Sequence, residues 1–435
     1  MNFKQSLSIN LFYRSYSQNH QSFLISGNHD KFAENFILRF HQLKRFAGNF
    51  TLHGIFVRVC FLFFLLSSQT AHSQYTHKLF TSNMLVEARF NYGFLYAHHL
   101  ELEIFNSHMP AFEINLQQET YGKHKWERDY AYPVIGLSLW YSGLGKSPEI
   151  GSAYALFPYI NFPLYRLKKF MLTFRFGLGL GYLTKKFDRI ENYKNLVIGS
   201  HFNAAVNMSF EIRYRLLERL TLSAGFGLQH FSNGSLKLPN YGLNLPFANI
   251  GVAYRLAREN SLISDRFIAP TEPFEAVIRH TMEFNFGAAI GSKNMQAILG
   301  QNFMVYHVYE NTFFPVSRKS KVGFGLDLSY DESHVAILEA EGVEVTNKLK
   351  ILRPGINAAY ELGISKLAFI FNLGCYLGGQ EKTNGPLYEK LSFQYNLTKS
   401  IFANVMLKVH YGRADYIGWG FGYRFEQLYG KKVLK

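Results

Sequence analysis

The chain carries little charge for its length. Of its 435 residues 18% are charged, about as many as the 17% that are aromatic. It has two cysteines. Cys60 lies in an N-terminal apolar run and Cys375 in an expected strand, so loss of the first by processing leaves no disulfide to form, and two thiols exclude a cysteine-built metal site. Beyond the N-terminal region no apolar run approaches the roughly 20 residues that a membrane-crossing helix needs. No basic helix, zinc-ligand spacing or RNP-type motif accompanies the formal charge of +15, so nucleic acid is not an expected partner. The basic groups gather in turns (Arg318, Lys319, Lys321) and at the termini, where anionic headgroups or solvent accommodate them. What is present in quantity is apolar side chain, 48% of the total, dispersed along the chain. A soluble protein exposing so many aromatics would associate.

Residues 56–74 have the form of a secretory signal. Arg58 precedes the run Val59-Cys60-Phe61-Leu62-Phe63-Phe64-Leu65-Leu66, and the small residues Ala71 and Ser73 follow at cleavage-site spacing. The preceding residues 1–55 show no organised pattern and read as a non-native extension or a long basic leader. A short buried helix is the alternative for 56–74.

From there on the dominant pattern is alternation, the mark of a strand with two unlike faces. Phe170, Leu172, Phe174, Phe176, Leu178, Leu180 and Tyr182 alternate with Thr173, Arg175, Gly177, Gly179 and Gly181. Phe202 to Tyr214 alternates in the same way, with Asn203, Asn207, Ser209, Glu211 and Arg213 on the second face. So do 84–96 and 282–290. A soluble sandwich also alternates. These strands, however, reach the roughly 9–11 residues that a membrane barrel requires, and their aromatics sit toward strand ends, as interface girdles do. The expected fold is all-β: a transmembrane antiparallel barrel, since a sheet in lipid has to close.

The pattern yields about sixteen strands in two sets of about eight, an even number as in bacterial barrels. The first set spans 82–256, a linker 257–276 follows, the second set spans 277–426, and 427–435 form a tail. The sets end alike, Ile250-Gly251-Val252-Ala253-Tyr254-Arg255-Leu256 against Trp419-Gly420-Phe421-Gly422-Tyr423-Arg424-Phe425, which indicates an internal repeat. Two eight-stranded barrels in tandem are expected, with one barrel of about sixteen strands as the alternative.

One segment departs from this pattern: Gln229-His230-Phe231-Ser232-Asn233-Gly234-Ser235-Leu236-Lys237-Leu238-Pro239-Asn240-Tyr241-Gly242-Leu243-Asn244. In the strand leading into it, Leu222, Ala224, Phe226 and Leu228 form the apolar face, and parity carries that face through His230 and Ser232. A polar group in hydrocarbon without partners costs about 2–7 kcal/mol. A base and a hydroxyl placed together there are the minimum for an activated nucleophile. On spacing alone, a turn capped by Ser-Asn-Gly beside an incidental histidine is the favoured account of the segment.

The segment resembles the active-site signature of the PagL-type lipid A 3-O-deacylases, eight-stranded outer-membrane barrels whose pattern runs His, aromatic, Ser, Asn and then Pro-Asn-x-Gly. His230, Phe231, Ser232, Asn233, Pro239, Asn240 and Gly242 match it, and the resemblance covers about 82–256. It implies a serine esterase in the outer membrane of a Gram-negative-type bacterium, acting on lipid A, the acylated anchor of lipopolysaccharide. Ser232 is then the nucleophile and His230 the general base, with no cofactor. The acidic residue by which the family orients its histidine corresponds here to Asn244, a departure: an amide accepts the imidazole N–H but carries no charge to stabilise imidazolium. Asn233, or the backbone N–H groups around it, is the oxyanion candidate. A non-enzymatic barrel, whether pore, carrier or scaffold, is the other reading.

In the second set, parity places Val405, Leu407, Val409 and Tyr411 on the apolar face and His410 in the lumen, so that set is expected to be catalytically empty. Gly177-x-Gly179-x-Gly181 lacks the strand-turn-helix context of a nucleotide loop. His98, His99, Glu101 and Glu103 read as a loop in preference to a metal site. The sequence leaves the oligomeric state open.

Overall fold

The computed structural model describes residues 83–257, 281–295 and 300–428. The expected signal and most of the linker and tail lie outside the described residues. Two antiparallel sheets each close on themselves, eight strands apiece, so the chain forms two barrels and not one of sixteen strands.

The first barrel comprises β1 (Met84–Phe94), β2 (His108–Glu119), β3 (Val134–Ser142), β4 (Ala153–Arg166), β5 (Phe170–Leu183), β6 (Phe202–Arg215), β7 (Leu220–Ser232) and β8 (Leu243–Arg255). Closure is by β1 against β8, from Leu85 opposite Arg255 to Gly93 opposite Phe247. The second comprises β9 (Thr281–Met295), β10 (Gln301–Pro315), β11 (Ser320–Asp331), β12 (Arg353–Ile364), β13 (Leu367–Tyr376), β14 (Leu387–Asn396), β15 (Ile401–His410) and β16 (Arg413–Leu428). It closes by β16 against β9. The only described helices of α type are α1 (Lys125–Asp129) and α2 (Ser333–Ala340), and no described helix is long and apolar enough to cross a membrane.

The faces divide as the alternation requires. Phe90, Phe112, Phe210, Phe226 and Ile250 point outward and are exposed, Phe226 and Ile250 by about two thirds (64% and 65%). The intervening residues point inward, and many of them are charged. Apolar outside and polar inside is the reverse of a soluble fold, and it suits a hydrocarbon surround. Tyr92 and Phe94 mark one end of this belt, and Tyr165, Tyr214 and Tyr254 the other.

The first lumen is filled. In its half nearer the short turns, Glu87, Glu113 and Glu211 meet Arg89, Arg175 and Arg213. Arg89 grips both oxygens of Glu211 at 2.5 and 2.7 Å, and Arg175 pairs with Glu113 at 2.6 Å. Gln117 and Ser223 hold Glu87. The guanidinium of Arg175 lies 3.6 Å from the Tyr159 ring centroid. Toward the long loops the inward positions carry Trp140, Phe157, Tyr159, Phe231, Leu243 and Leu245, which form an apolar core. The glycines of β5 make room for it: a Cβ at Gly181 would lie 2.5 Å from the Phe231 ring. The inward face therefore changes character along its length, from ionic to aromatic.

The second lumen is likewise ionic. Asp327 takes Lys390, Tyr388 and Asn357, and Lys293 bridges Asp331 and Asp415 at 2.5 and 2.9 Å. His410 is buried there, 2.9 Å from the Tyr376 hydroxyl. Val409 lies between lumen-facing Lys408 and His410 and so keeps the outward parity, although it is buried. A register shift pairs Lys408 with Tyr416 and Val409 with Ala414, so the extra residue of the bulge, Asp415, lies in β16.

Removing one partner of a buried pair strands the other charge, at about 3–5 kcal/mol. Arg89→Ala is expected to lower barrel stability by that order, read as a lower midpoint for the heat-induced shift in gel mobility. An unchanged midpoint would show that the lumen network does not hold the barrel.

Candidate functional site

The site lies where β7 and β8 leave the barrel wall. Register brings its parts together before any loop does: His230 is directly opposite Asn244, and Phe231 opposite Leu243. Side chains opposite one another share a face, so the imidazole and the amide meet outside the barrel. His230 Nδ1 lies 2.6 Å from Asn244 Oδ1. Between the two outward residues, Phe231 turns inward, fully buried, with its ring 5.5 Å from that of Trp140. That anchor fixes the end of β7, so His230 and Ser232 project from a rigid element.

A relay fixes the proton on His230. His98, in the β1–β2 connection, places Nε2 2.9 Å from the Tyr241 carbonyl. A carbonyl only accepts, so this nitrogen carries the hydrogen. Nδ1 of His98 also lies 3.3 Å from the Tyr96 carbonyl, the longer of the two approaches. With the proton on Nε2, His98 Nδ1 accepts from Asn244 Nδ2 at 3.2 Å. Asn244 Oδ1 then accepts from His230 Nδ1–H, and the lone pair of His230 stays on Nε2, the arrangement a general base needs. The closing β1–β8 seam supplies His98, since Tyr96 N–H donates to the Asn244 carbonyl at 2.9 Å.

Ser232 is held from the loop side. Asn240 Nδ2 donates to its Oγ at 3.0 Å, Gly234 N–H donates to the same oxygen at 3.2 Å, and Oγ faces Asn240 Oδ1 at 3.4 Å. Asn233 N–H also reaches Asn240 Oδ1, at 3.1 Å. The Asn233 side chain is committed elsewhere. It is buried, and its amide donates to Ser200 Oγ and to the Lys237 carbonyl at 2.9 and 2.8 Å. The donors beside Ser232 are thus Gly234 N–H and the Asn240 amide. Pro239 and Gly242 shape the return of the loop. Gly242 has φ +81°, a left-handed conformation that favours glycine, and its N–H bonds to Val197 at 2.9 Å in the β5–β6 connection.

Two residues carry more of the geometry than sequence reasoning assigned them. His98 orients Asn244. Its neighbour His99 stacks on Tyr241 with centroids 4.3 Å apart, and no group of three or more His, Cys, Asp or Glu among the described residues is arranged to hold a metal. Asn240, read from the motif as support, contacts Ser232 directly. No signal within β1 marks His98. Only the closure of the barrel places it at the site.

Residues 111–254 match the family model for lipid A 3-O-deacylase (PagL), and residues 282–427 match that for the acyloxyacyl hydrolase C-terminal domain. No curated protein matches the chain. Among solved structures, Neisserial surface protein A (NspA) is 11% identical over 40% of this chain and 96% of its own, at a TM-score of 0.28. A mutant of Rh. blastica porin is 8% identical over 79% of this chain and 99% of its own, at a TM-score of 0.16.

The relay is checked by nitrogen NMR of histidine side chains. His230 is expected as the Nδ1–H tautomer, and Asn244→Ala is expected to release it into a mixture. An unaltered tautomer in that variant would contradict the relay.

Proposed function

As a chain that belongs to the lipid A 3-O-deacylase (PagL) family through its first barrel and carries an acyloxyacyl hydrolase C-terminal domain as its second, the protein is, we propose, an outer-membrane esterase that removes an ester-linked acyl chain from lipid A. The observation that carries this reading is the placement of His230 and Ser232 on the outward parity of β7, shared with exposed Leu222 and Phe226. A lipid substrate approaches a barrel from that side.

The chemistry follows from the groups present. Ser232 Oγ adds to the ester carbonyl as its proton passes to His230 Nε2. The negative oxygen that forms needs donors already in place, and Gly234 N–H and the Asn240 amide are the ones beside the serine. Collapse breaks the bond to the sugar oxygen, which takes the proton back from the imidazolium. Water then hydrolyses the acyl-serine by the same route in reverse. Asn244 keeps the imidazole in the useful tautomer but supplies no charge to the imidazolium, so the reaction depends more on positioning than it does where a carboxylate stands.

The reading as a pore or carrier has less support, because the lumen of each barrel is crossed by buried ion pairs. The ester bond that is cut is decided by experiment. Mass spectrometry of lipid A from cells producing the chain is expected to show one acyl chain fewer than in cells without it. Ser232→Ala is expected to restore the parent species. Unchanged acyl number across growth conditions would overturn the proposal.

A further inference from the structure

The hairpin that carries the site and its counterpart in the second barrel differ in one respect. β7 and β8 are joined by residues 233–242, whereas β15 and β16 are joined by Tyr411 and Gly412 alone. The outer end of β16 has no overhanging loop of its own, and the loop of the first barrel takes that place. Ser235 Oγ donates to the Ala414 carbonyl at 2.7 Å. The N–H of Asn294, in β9, donates to the Ser235 carbonyl at 3.0 Å. Asn294 Oδ1 accepts from Leu238 N–H at 3.3 Å. Gly234 comes so close to β16 that a Cβ there would lie 2.4 Å from the Ile417 side chain.

One of the residues held in this way, Gly234, also donates to Ser232 Oγ, and the held segment leads directly to the other donor, Asn240. Gly234, whose N–H meets Ser232 Oγ, and Ser235 both adopt left-handed φ, +60° and +67°. Such a conformation persists in a non-glycine residue only where its surroundings impose it, and here the surroundings are β9 and β16. Asn240 follows Leu238 by two residues. The barrels also touch lower down, where the Tyr130 hydroxyl donates to the Gly363 carbonyl at 2.9 Å and Arg318 lies 3.6 Å from Asp129. The grip on the loop is therefore one end of a longer contact.

We propose that the second barrel is a positioning body for the site of the first. Asn294, Ala414 and Ile417 hold residues 234–238 so that Gly234 and Asn240 present their N–H groups to Ser232. This inference rests on the esterase reading of Ser232. It assigns the second module a role in turnover: a displacement of about 1 Å in a positioned group costs on the order of 10²-fold in rate.

The test is steady-state kinetics of the purified full chain on hexa-acylated lipid A in mixed micelles, with heat-modifiable mobility as the check on folding. Asn294→Ala combined with Ile417→Ala is expected to lower kcat by about tenfold or more while KM stays within about twofold, because the acyl-binding surface is untouched. Ile417→Val, which keeps the contact on Gly234, is expected to retain most of the rate. Should the double variant not fold, Asn294→Ala and Ile417→Ala singly are each expected to lower kcat with KM unmoved. An active wild type with variants of undiminished kcat overturns the positioning role alone. A wild type without activity on lipid A overturns the esterase reading with it.

Discussion

A backbone N–H or C=O in hydrocarbon has no solvent to bond with, so a sheet that crosses a bilayer has to pair every strand, including its first with its last. The β1–β8 and β16–β9 seams meet that requirement. Once the sheet is closed, alternate side chains have no choice but lipid or lumen. The apolar exterior and the ionic interior are two readings of one period. The same closure assembles the site, because His98 follows β1 and Asn244 opens β8, and the two meet only when those strands pair.

The lumen answers the second demand of closure, that the enclosed space be filled. Burying charge is expensive unless each ion finds opposite charge and hydrogen bonds. The Glu87–Arg89–Glu211 arrangement supplies both, with Gln117, Ser209 and Ser223 completing the carboxylates. Above it the interior becomes aromatic, and Phe231 belongs to that layer. One residue thus joins packing to chemistry: its burial holds its two neighbours, His230 and Ser232, facing out on a fixed strand end.

Much of this was legible in the sequence because a period of two needs no tertiary information. Strand after strand could be placed, two sets could be distinguished by their matching ends, and parity put His230 and Ser232 outward and His410 inward. What parity does not carry is where the period breaks. The bulge in β16, where Asp415 and Tyr416 both turn to the lumen, leaves no mark in composition. Nor does a linear pattern show which loop bonds cross the molecule. Asn233 or the backbone N–H groups around it were the oxyanion candidates; the Asn233 side chain is tied to Ser200 and Lys237, and Gly234 N–H is the neighbouring group beside Ser232. The hydrogen bond from Asn240 to Ser232 and the one between His98 and Asn244 both depend on how loops fold over the barrel mouth.

The central claim is that Ser232 is a nucleophile activated by His230 on the lipid-facing side of a closed barrel. Incubating the detergent-purified chain with a long-chain alkyl fluorophosphonate, followed by intact-mass and peptide analysis, tests it most directly. The account predicts a single covalent adduct on Ser232, formed much more slowly in His230→Ala, where the base that contributes about 10²–10⁴-fold is missing. Labelling at another residue, or at Ser232 with equal speed in both proteins, would contradict it.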